Sequence, residues 1–279
     1  MKLSYYPGCS LESTAKEYDL SSRSVCAALD LELLELEDWS CCGSTSAHNL
    51  NHALASALPA RNIALAQKNG VDVTVPCAAC FARLRKADYV MRNDEAARKE
   101  IEETVGFKYQ DNIKIMSLVE AMVGKVGLGA IASKVVKPLE GLKVVCYYGC
   151  LMVRPPEVQG FDRVENPTML DDLTETLGAQ ALKWSYKTEC CGASLSLTNT
   201  NVVEEIVSRI INAAREAGAE AIVTSCPMCQ SNLEMRQEKG ENQMPCFYFT
   251  ELMGLALGLN EAKGWFRKHL VDPGRVVNL

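Results

Sequence analysis

The chain has 279 residues, of which 13 are cysteine, 48% are hydrophobic and 23% are charged, and its net charge is −6. This composition is typical of a globular protein with a buried core and excludes a disordered chain. The acidic balance disfavours a nucleic-acid partner, and no apolar run is long enough to span a membrane. The first residues lack a secretory signal, so we expect a cytoplasmic protein with reduced thiols. The cysteines then indicate metal or redox chemistry.

The first half of the chain alternates between strand-like and helix-like hydrophobic patterns. In chain order these predict a strand at 2–6, a helix at 13–29, a strand at 31–37, a helix at 51–68, a strand at 71–75, one helix from the CxxC motif to about 102, and a strand at 112–116. The segment 121–140 contains several glycines and is predicted to connect the two halves.

The second half repeats this alternation. Its pattern predicts a strand at 142–147, a helix at 169–177, a strand at 181–184, a helix at 202–217, a strand at 221–224 and a last strand at 246–249. Strands that alternate with helices form parallel βαβ units with right-handed crossovers. We therefore predict an α/β protein of two tandem, pseudo-symmetric domains with parallel sheets, one spanning residues 1–138 and the other 139–279.

The cysteines themselves form a repeat. The first set is Cys9, Cys41, Cys42, Cys77 and Cys80, and the second is Cys150, Cys190, Cys191, Cys226 and Cys229. The last four members of each set differ by a constant 149 residues, and a CCG and a CxxC motif occur in both. This indicates an internal duplication. Three further cysteines, at positions 26, 146 and 246, lie outside the repeat, and we interpret them as apolar core residues.

Both sets are predicted to converge at the carboxyl edges of the sheets, because most of their members follow a predicted strand closely. A thioredoxin-type dithiol would explain only two cysteines of each set. Structural zinc, which takes four ligands in a tetrahedron, would leave one cysteine spare. An iron–sulfur cluster spreads several metal atoms over a larger surface and suits neighbouring cysteines such as Cys41 and Cys42 better. All three alternatives remain open on the residues alone.

No dinucleotide fingerprint and no phosphate-binding loop occurs, so we expect no bound nucleotide or flavin. Two clusters on duplicated halves would suit two-electron chemistry carried out in one-electron steps, of which disulfide cleavage is one example. The electrons would then arrive from another protein of the same complex.

The full pattern C-x31-CCG-x33-CxxC followed by C-x39-CCG-x33-CxxC resembles the duplicated cysteine-rich domain in the B subunit of heterodisulfide reductase. The resemblance implies one noncubane [4Fe-4S] cluster on each five-cysteine set and a substrate, the heterodisulfide of coenzyme M and coenzyme B, bound between the clusters. It also implies three partners: the ferredoxin-like C subunit and the flavin-containing A subunit of the same complex, and a hydrogenase or formate dehydrogenase as electron supplier. Relatives of this family act instead on a protein disulfide, a quinone or a flavoenzyme partner.

The implied substrate is anionic, so cations near the motifs are candidate substrate-binding residues. The candidates are His48, Arg154 and Lys187, followed by Arg83 and Lys86. Arg154 could bind an oxyanion through two hydrogen bonds, and His48 could donate a proton. For each cation, a solvated surface charge is the competing interpretation.

Overall fold

Two four-stranded parallel sheets form the framework of the protein. The computed structural model describes residues 1–44, 46–240 and 242–277. The first sheet contains β1 (Lys2–Tyr5), β2 (Glu32–Glu35), β3 (Val73–Val75) and β4 (Ile115–Ser117). The second contains β5 (Lys143–Tyr147), β6 (Gln180–Ala181), β7 (Ala221–Thr224) and β8 (Cys246–Tyr248).

Helices cover both sheets. In the first half they are α1 (Cys9–Glu12), α2 (Lys16–Ala28), α3 (Ala47–Leu50), α4 (His52–Asn69), α5 (Ala78–Asn93), α6 (Glu95–Val105) and α7 (Leu118–Glu120). A π-helix (Ala121–Gly127) and α8 (Leu128–Lys134) lead into the second half. There the helices are α9 (Cys150–Val153), α10 (Pro156–Gln159), α11 (Met169–Thr176), α12 (Thr200–Glu216), α13 (Pro227–Arg236), α14 (Phe249–Ala256) and α15 (Ala262–Trp265), with short 3₁₀ turns at Ala193–Leu195 and Phe266–Lys268.

The two sheets share one topology. The strand orders are β2-β1-β3-β4 and β6-β5-β7-β8, with every described pairing parallel. In each sheet the chain first passes from the first strand to its neighbour on one side (β1 to β2, and β5 to β6). It then crosses to the neighbour on the other side (β3, and β7). A topological switch point therefore lies between β1 and β3 and between β5 and β7, and ligands of open α/β sheets bind outside the carboxyl ends of the strands at such a point. The predicted α/β fold with duplicated parallel sheets is confirmed.

Local sequence signals explain where several helices begin and end. The Asn51 side chain accepts a hydrogen bond from the Leu54 amide at the start of α4, and Gly70 ends that helix in the left-handed conformation. Ser117 and Glu120 form a reciprocal capping box at the end of β4.

Three details of the predicted elements are wrong. The single helix predicted after the first CxxC is two helices, because Asp94 leaves helical geometry and its side chain caps α6 at the Ala97 amide. β6 lies earlier than the predicted strand at 181–184, whereas the segment 121–140 connects the two halves as predicted and is largely helical. The last strand stops at Tyr248, since Phe249 begins α14. The predicted domain boundary after residue 138 stays a prediction.

The halves pack against each other through α2 and α14. The Tyr18 ring stacks on Tyr248 with centroids 4.2 Å apart and an interplanar angle of 2°. Beside this stack the Ser21 and Thr250 hydroxyls are hydrogen bonded at 2.6 Å. All four side chains are buried, so the core is continuous between the two halves.

Candidate metal centre

The cysteines of the repeat lie at the carboxyl ends of the strands, as expected. Cys9 and Cys150 begin the short helices α1 and α9 directly after β1 and β5. Cys77 and Cys226 are the N-cap residues of α5 and α13, and each follows the third strand of its sheet. Backbone amides at the starts of α5 and α13 act to lower the pKa of the Cys77 and Cys226 thiols, although the neighbouring Cys226 thiol raises the pKa of Cys77 overall.

In the first half the sulfur atoms approach one another in pairs. The Sγ atoms of Cys9 and Cys41 are 3.9 Å apart, and those of Cys42 and Cys80 are 3.3 Å apart. Cys41 also contacts Cys42, and Cys77 contacts Cys80. Cys9 and Cys41 are exposed whereas the other three are buried, so the set extends from the surface inwards.

The second half repeats the arrangement. Cys191 and Cys229 have their Sγ atoms 3.6 Å apart, and Cys150 and Cys190 lie close enough to shift each other's pKa. Cys190 is exposed and Cys150 is half-buried, while Cys191, Cys226 and Cys229 are buried. In each set, therefore, some thiols are accessible to solvent and the others are buried in the protein interior.

The two sets meet in the interior. The thiols of Cys77 and Cys226, which belong to different halves, lie close enough to shift each other's pKa. Neither residue is more than 3% exposed. The two sets therefore come together at these two buried thiols.

These contacts shift the thiol pKa values. Hydrogen bonds from Cys41 and Cys80 lower the pKa of the Cys42 thiol to about 4 despite its burial. A hydrogen bond from Cys150 lowers the pKa of Cys190 to about 6. One thiol in each half is therefore easier to deprotonate than an ordinary cysteine, and thiolate is the form of cysteine that binds metal.

Glycine and tyrosine residues shape each site in the same way. A Cβ on Gly8 would lie 2.9 Å from the Cys80 sulfur, and one on Gly149 would lie 3.3 Å from the Cys229 sulfur. Both glycines have positive φ angles, which disfavour any larger residue.

Tyr6 donates a hydrogen bond to the Ser40 carbonyl, and Tyr147 donates to the Glu189 carbonyl. These carbonyls directly precede the paired cysteines, so each tyrosine supports a CC turn.

The donor set fits iron–sulfur chemistry. Five thiols in each half lie on adjoining loops and helix starts, with close backbone approach secured by glycine. Within the described part of the chain, no three or more His, Cys, Asp or Glu side chains are arranged to hold a single metal ion. The thiols meet instead in pairs, with most pairs joining different loops or helix starts.

A cavity of about 190 Å³ opens beside the second set. It is lined by all five cysteines of that set and by residues of the first half, namely Ser44, Ala78, Ala79 and Arg83. Arg83 donates a hydrogen bond to the Ser44 carbonyl at 3.1 Å and is half-buried. The cavity therefore lies at the junction of the two halves.

The predicted substrate-binding cations are placed differently. Arg154 pairs with the exposed Glu165 at 3.0 Å. Lys187 is 6% exposed and pairs with Asp171 at 2.7 Å, so the surface-charge interpretation is wrong for this residue. Lys86 is exposed, with its ammonium group 5.5 Å from the Tyr89 ring centroid.

The remaining sequence-based assignments concern one histidine and three cysteines. His48 lies on α3, and its side chain is outside the described part of the chain. Cys26, Cys146 and Cys246 are fully buried in the hydrophobic core, as expected for apolar packing residues.

The fold and the two thiol sets define a duplicated α/β protein with one five-cysteine site in each half. A family model described as "Cysteine-rich domain" (CCG) matches residues 3–85 and again residues 144–234. The chain therefore belongs to the CCG cysteine-rich domain family, with two copies of the domain.

Several curated relatives cover nearly the whole chain. The 8-methylmenaquinol:fumarate reductase membrane anchor subunit of Wolinella succinogenes is 31% identical over 99% of both chains. The B subunit of a ferredoxin/F420H2-dependent CoB-CoM heterodisulfide reductase of Methanosarcina acetivorans is 26% identical over 93% of this chain and 90% of its own. A protein of Archaeoglobus profundus, named for its likeness to the heterodisulfide reductase B subunit, is 29% identical over 94% and 93%. These relatives indicate an iron–sulfur oxidoreductase.

A solved structure supports the fold alone. The structure of a hypothetical protein from Helicobacter pylori superposes with a TM-score of 0.75 at 12% identity. The match covers 96% of this chain and 51% of that one, so our chain spans about half of the Helicobacter protein. No helix in the described part of the chain is both long and apolar enough to cross a membrane.

Proposed function

We propose that this protein reduces a disulfide to two thiols with electrons delivered through two noncubane [4Fe-4S] clusters, one on each five-cysteine set. The first would be held by Cys9, Cys41, Cys42, Cys77 and Cys80, and the second by Cys150, Cys190, Cys191, Cys226 and Cys229. The observation that carries this proposal is the meeting of the two sets at Cys77 and Cys226. Two redox centres that meet at one interface can act on one substrate.

Reduction of one disulfide takes two electrons, so it requires either two one-electron redox centres or two successive transfers from one such centre. Each disulfide consumes two electrons and two protons as its S–S bond breaks and two S–H bonds form. When bound, the clusters supply single electrons. The chain carries no dinucleotide-binding motif, so we infer that electrons come from a ferredoxin-like C subunit and a flavin-containing A subunit, with a hydrogenase or formate dehydrogenase as the source. We place this complex in the cytoplasm.

The coenzyme M–coenzyme B heterodisulfide is the proposed substrate, in line with the name of the Methanosarcina acetivorans relative. The anionic groups of this substrate would be bound by cationic side chains of the protein. Arg83 lines the junction cavity, and neither Arg154 nor Lys187 is among the residues that line it. Arg83 is therefore the best-placed described candidate for contact with a substrate anion, and its planar guanidinium suits carboxylate and phosphate groups.

Anaerobic metal analysis tests the cofactors. We expect about eight iron atoms and eight acid-labile sulfides per chain from two [4Fe-4S] clusters. Replacing Cys41 or Cys190 by serine should lower both counts and abolish thiol release from the heterodisulfide with a viologen donor. Cys26→Ala, which removes a buried cysteine outside both sets, should leave both counts unchanged. Two zinc ions without sulfide would refute the cluster proposal, and no thiol release from a fully loaded protein would refute the substrate.

A second function is favoured by one observation. The relative from Wolinella succinogenes, at 31% identity, is named as part of a methylmenaquinol:fumarate reductase. The chain would then pass electrons between a quinol and a partner flavoenzyme. Reduction of the loaded clusters by a menaquinol analogue, without activity towards any tested disulfide, would select this function.

A further inference from the structure

The side chain of Tyr18 contacts both halves of the protein, next to buried cysteines of both thiol sets. This residue lies on α2 in the first half and is fully buried. Its hydroxyl oxygen is 3.2 Å from the Pro76 carbonyl oxygen and 3.1 Å from the Ser225 carbonyl oxygen. A phenol carries one proton, so the two carbonyls share a single donor in a three-centre hydrogen bond.

The two carbonyls occupy equivalent positions in the repeat. Pro76 directly precedes Cys77, and Ser225 directly precedes Cys226. These cysteines are the N-cap residues of α5 and α13, and their thiols lie close enough to shift each other's pKa. The Tyr18 hydroxyl therefore binds the backbone immediately before each member of the sulfur pair that joins the two halves.

The ring of Tyr18 has little freedom to leave this position. It stacks face to face on Tyr248 of the second half, and its edge packs against Phe249 with centroids 6.3 Å apart. Ser21, one turn further along α2, is hydrogen bonded to Thr250. Packing alone would account for an aromatic ring here, but it would not require a hydroxyl aimed between two carbonyls of different halves.

We propose that Tyr18 is a positioning residue that fixes the separation of the two CxxC motifs and thereby sets the electronic coupling between the two redox centres. The proposal rests on the cluster assignment made above. Its physical basis is that coupling between neighbouring centres depends steeply on their distance. A donor shared between the two ligand-bearing turns holds that distance to one value. Without the hydroxyl, the backbone turns before Cys77 and Cys226 lose the donor that they share.

The test compares Tyr18→Phe with the wild-type protein after anaerobic loading. Both proteins are brought to a state in which both clusters are paramagnetic, and the spin–spin splitting is measured by electron paramagnetic resonance. We expect a single resolved splitting in the wild type and its loss, through a spread of separations, in Tyr18→Phe. Because the splitting arises only from molecules that hold both clusters, iron and sulfide are counted in each sample, and the variant is compared with the wild type at equal two-cluster loading.

The matched control is Ser21→Ala, which removes another described cross-half hydrogen bond on α2 but touches neither CxxC turn. It should keep the wild-type splitting. An unchanged splitting in Tyr18→Phe, or an equal loss in Ser21→Ala, would overturn the positioning role. A wild-type protein that binds no iron and sulfide would instead refute the proposed function, so the two failures are distinguishable.

Discussion

Replacing His269 by glutamine should remove a pH-dependent part of the protein's stability. The His269 side chain is fully buried between two glutamates, with Nδ1 2.9 Å from Glu234 and Nε2 3.0 Å from Glu251. Glu234 lies on α13, the helix that follows the second CxxC, and Glu251 lies on α14. The histidine therefore holds together the two helices beneath the second thiol set.

The magnitude follows from the pKa of the imidazolium. Burial lowers this pKa, but the charges and hydrogen bonds of Glu251 and Glu234 outweigh burial and raise it from 6.5 to about 10. Below pH 6.5 the histidine is charged in both the folded and unfolded states, and the ion pairs contribute in full. As the pH rises from 6.5 to 10 the unfolded chain loses its proton first, so stability declines. At about 1.4 kcal/mol per pH unit the whole interval is worth about 5 kcal/mol.

Urea unfolding of both proteins at several pH values between 6 and 10 measures this contribution. Taking the difference between wild type and His269→Gln cancels the titration of groups that behave alike in the two proteins. That difference should be largest near pH 6 and should shrink by as much as about 5 kcal/mol towards pH 10. Glu17, whose pKa is raised by burial, also faces this cluster and is present in both proteins.

His52→Gln serves as the control, because His52 is an exposed histidine at the start of α4. Its free energy of unfolding should stay within about 0.5 kcal/mol of the wild type at each pH. A wild-type advantage over His269→Gln that is constant from pH 6 to 10 would contradict the assignment of a charged, doubly paired imidazolium.

Two further predictions concern space and charge at the sites. Gly8→Ala should lower the iron content of the anaerobically loaded chain by about half, one of two clusters, because its Cβ would lie 2.9 Å from the Cys80 sulfur. Gly70→Ala, which also has a positive φ but no heavy atom within 4 Å, should destabilise the fold slightly and keep all the iron. Lys187→Met should cost about 3–5 kcal/mol in urea unfolding, because it leaves the Asp171 carboxylate buried without its partner; a loss below about 1 kcal/mol would show that the pair behaves as a surface one.

The sequence pattern predicts most strands well because the central strands of the sheets, such as β5 and β7, are short apolar runs bounded by turn residues, whereas the two-residue edge strand β6 carries almost no such pattern. The pattern fails for α14, whose residues are apolar on nearly every side and so lack the 3.6-residue periodicity of a surface helix. The break between α5 and α6 was predictable in principle. Asp94 is a preferred N-cap residue, but the helical pattern on both sides obscures it.

The thiol sets were predictable from spacing, whereas their contact was not. Tyr18 and Ser225 are 207 residues apart, and nothing in either sequence neighbourhood specifies how the two halves dock. Lys187 illustrates the same limit. A lysine close to a motif resembles a surface cation until the fold brings Asp171 within 2.7 Å and encloses both side chains. Long-range packing, rather than local pattern, decides such roles.

The two halves repeat the cysteines of the thiol sets, but they differ in the charged residues near the capping boxes that follow β4 and β8. Glu120 and Glu251 each close a capping box after the fourth strand of a sheet. In the first half the positive charge of Arg85 acts on Glu120, and in the second half the residue 149 positions later is Glu234. His269 then offers one positive charge against two carboxylates. The carboxylates behind the two repeated thiol sets are therefore balanced differently by cations, so the two halves are not electrostatically equivalent.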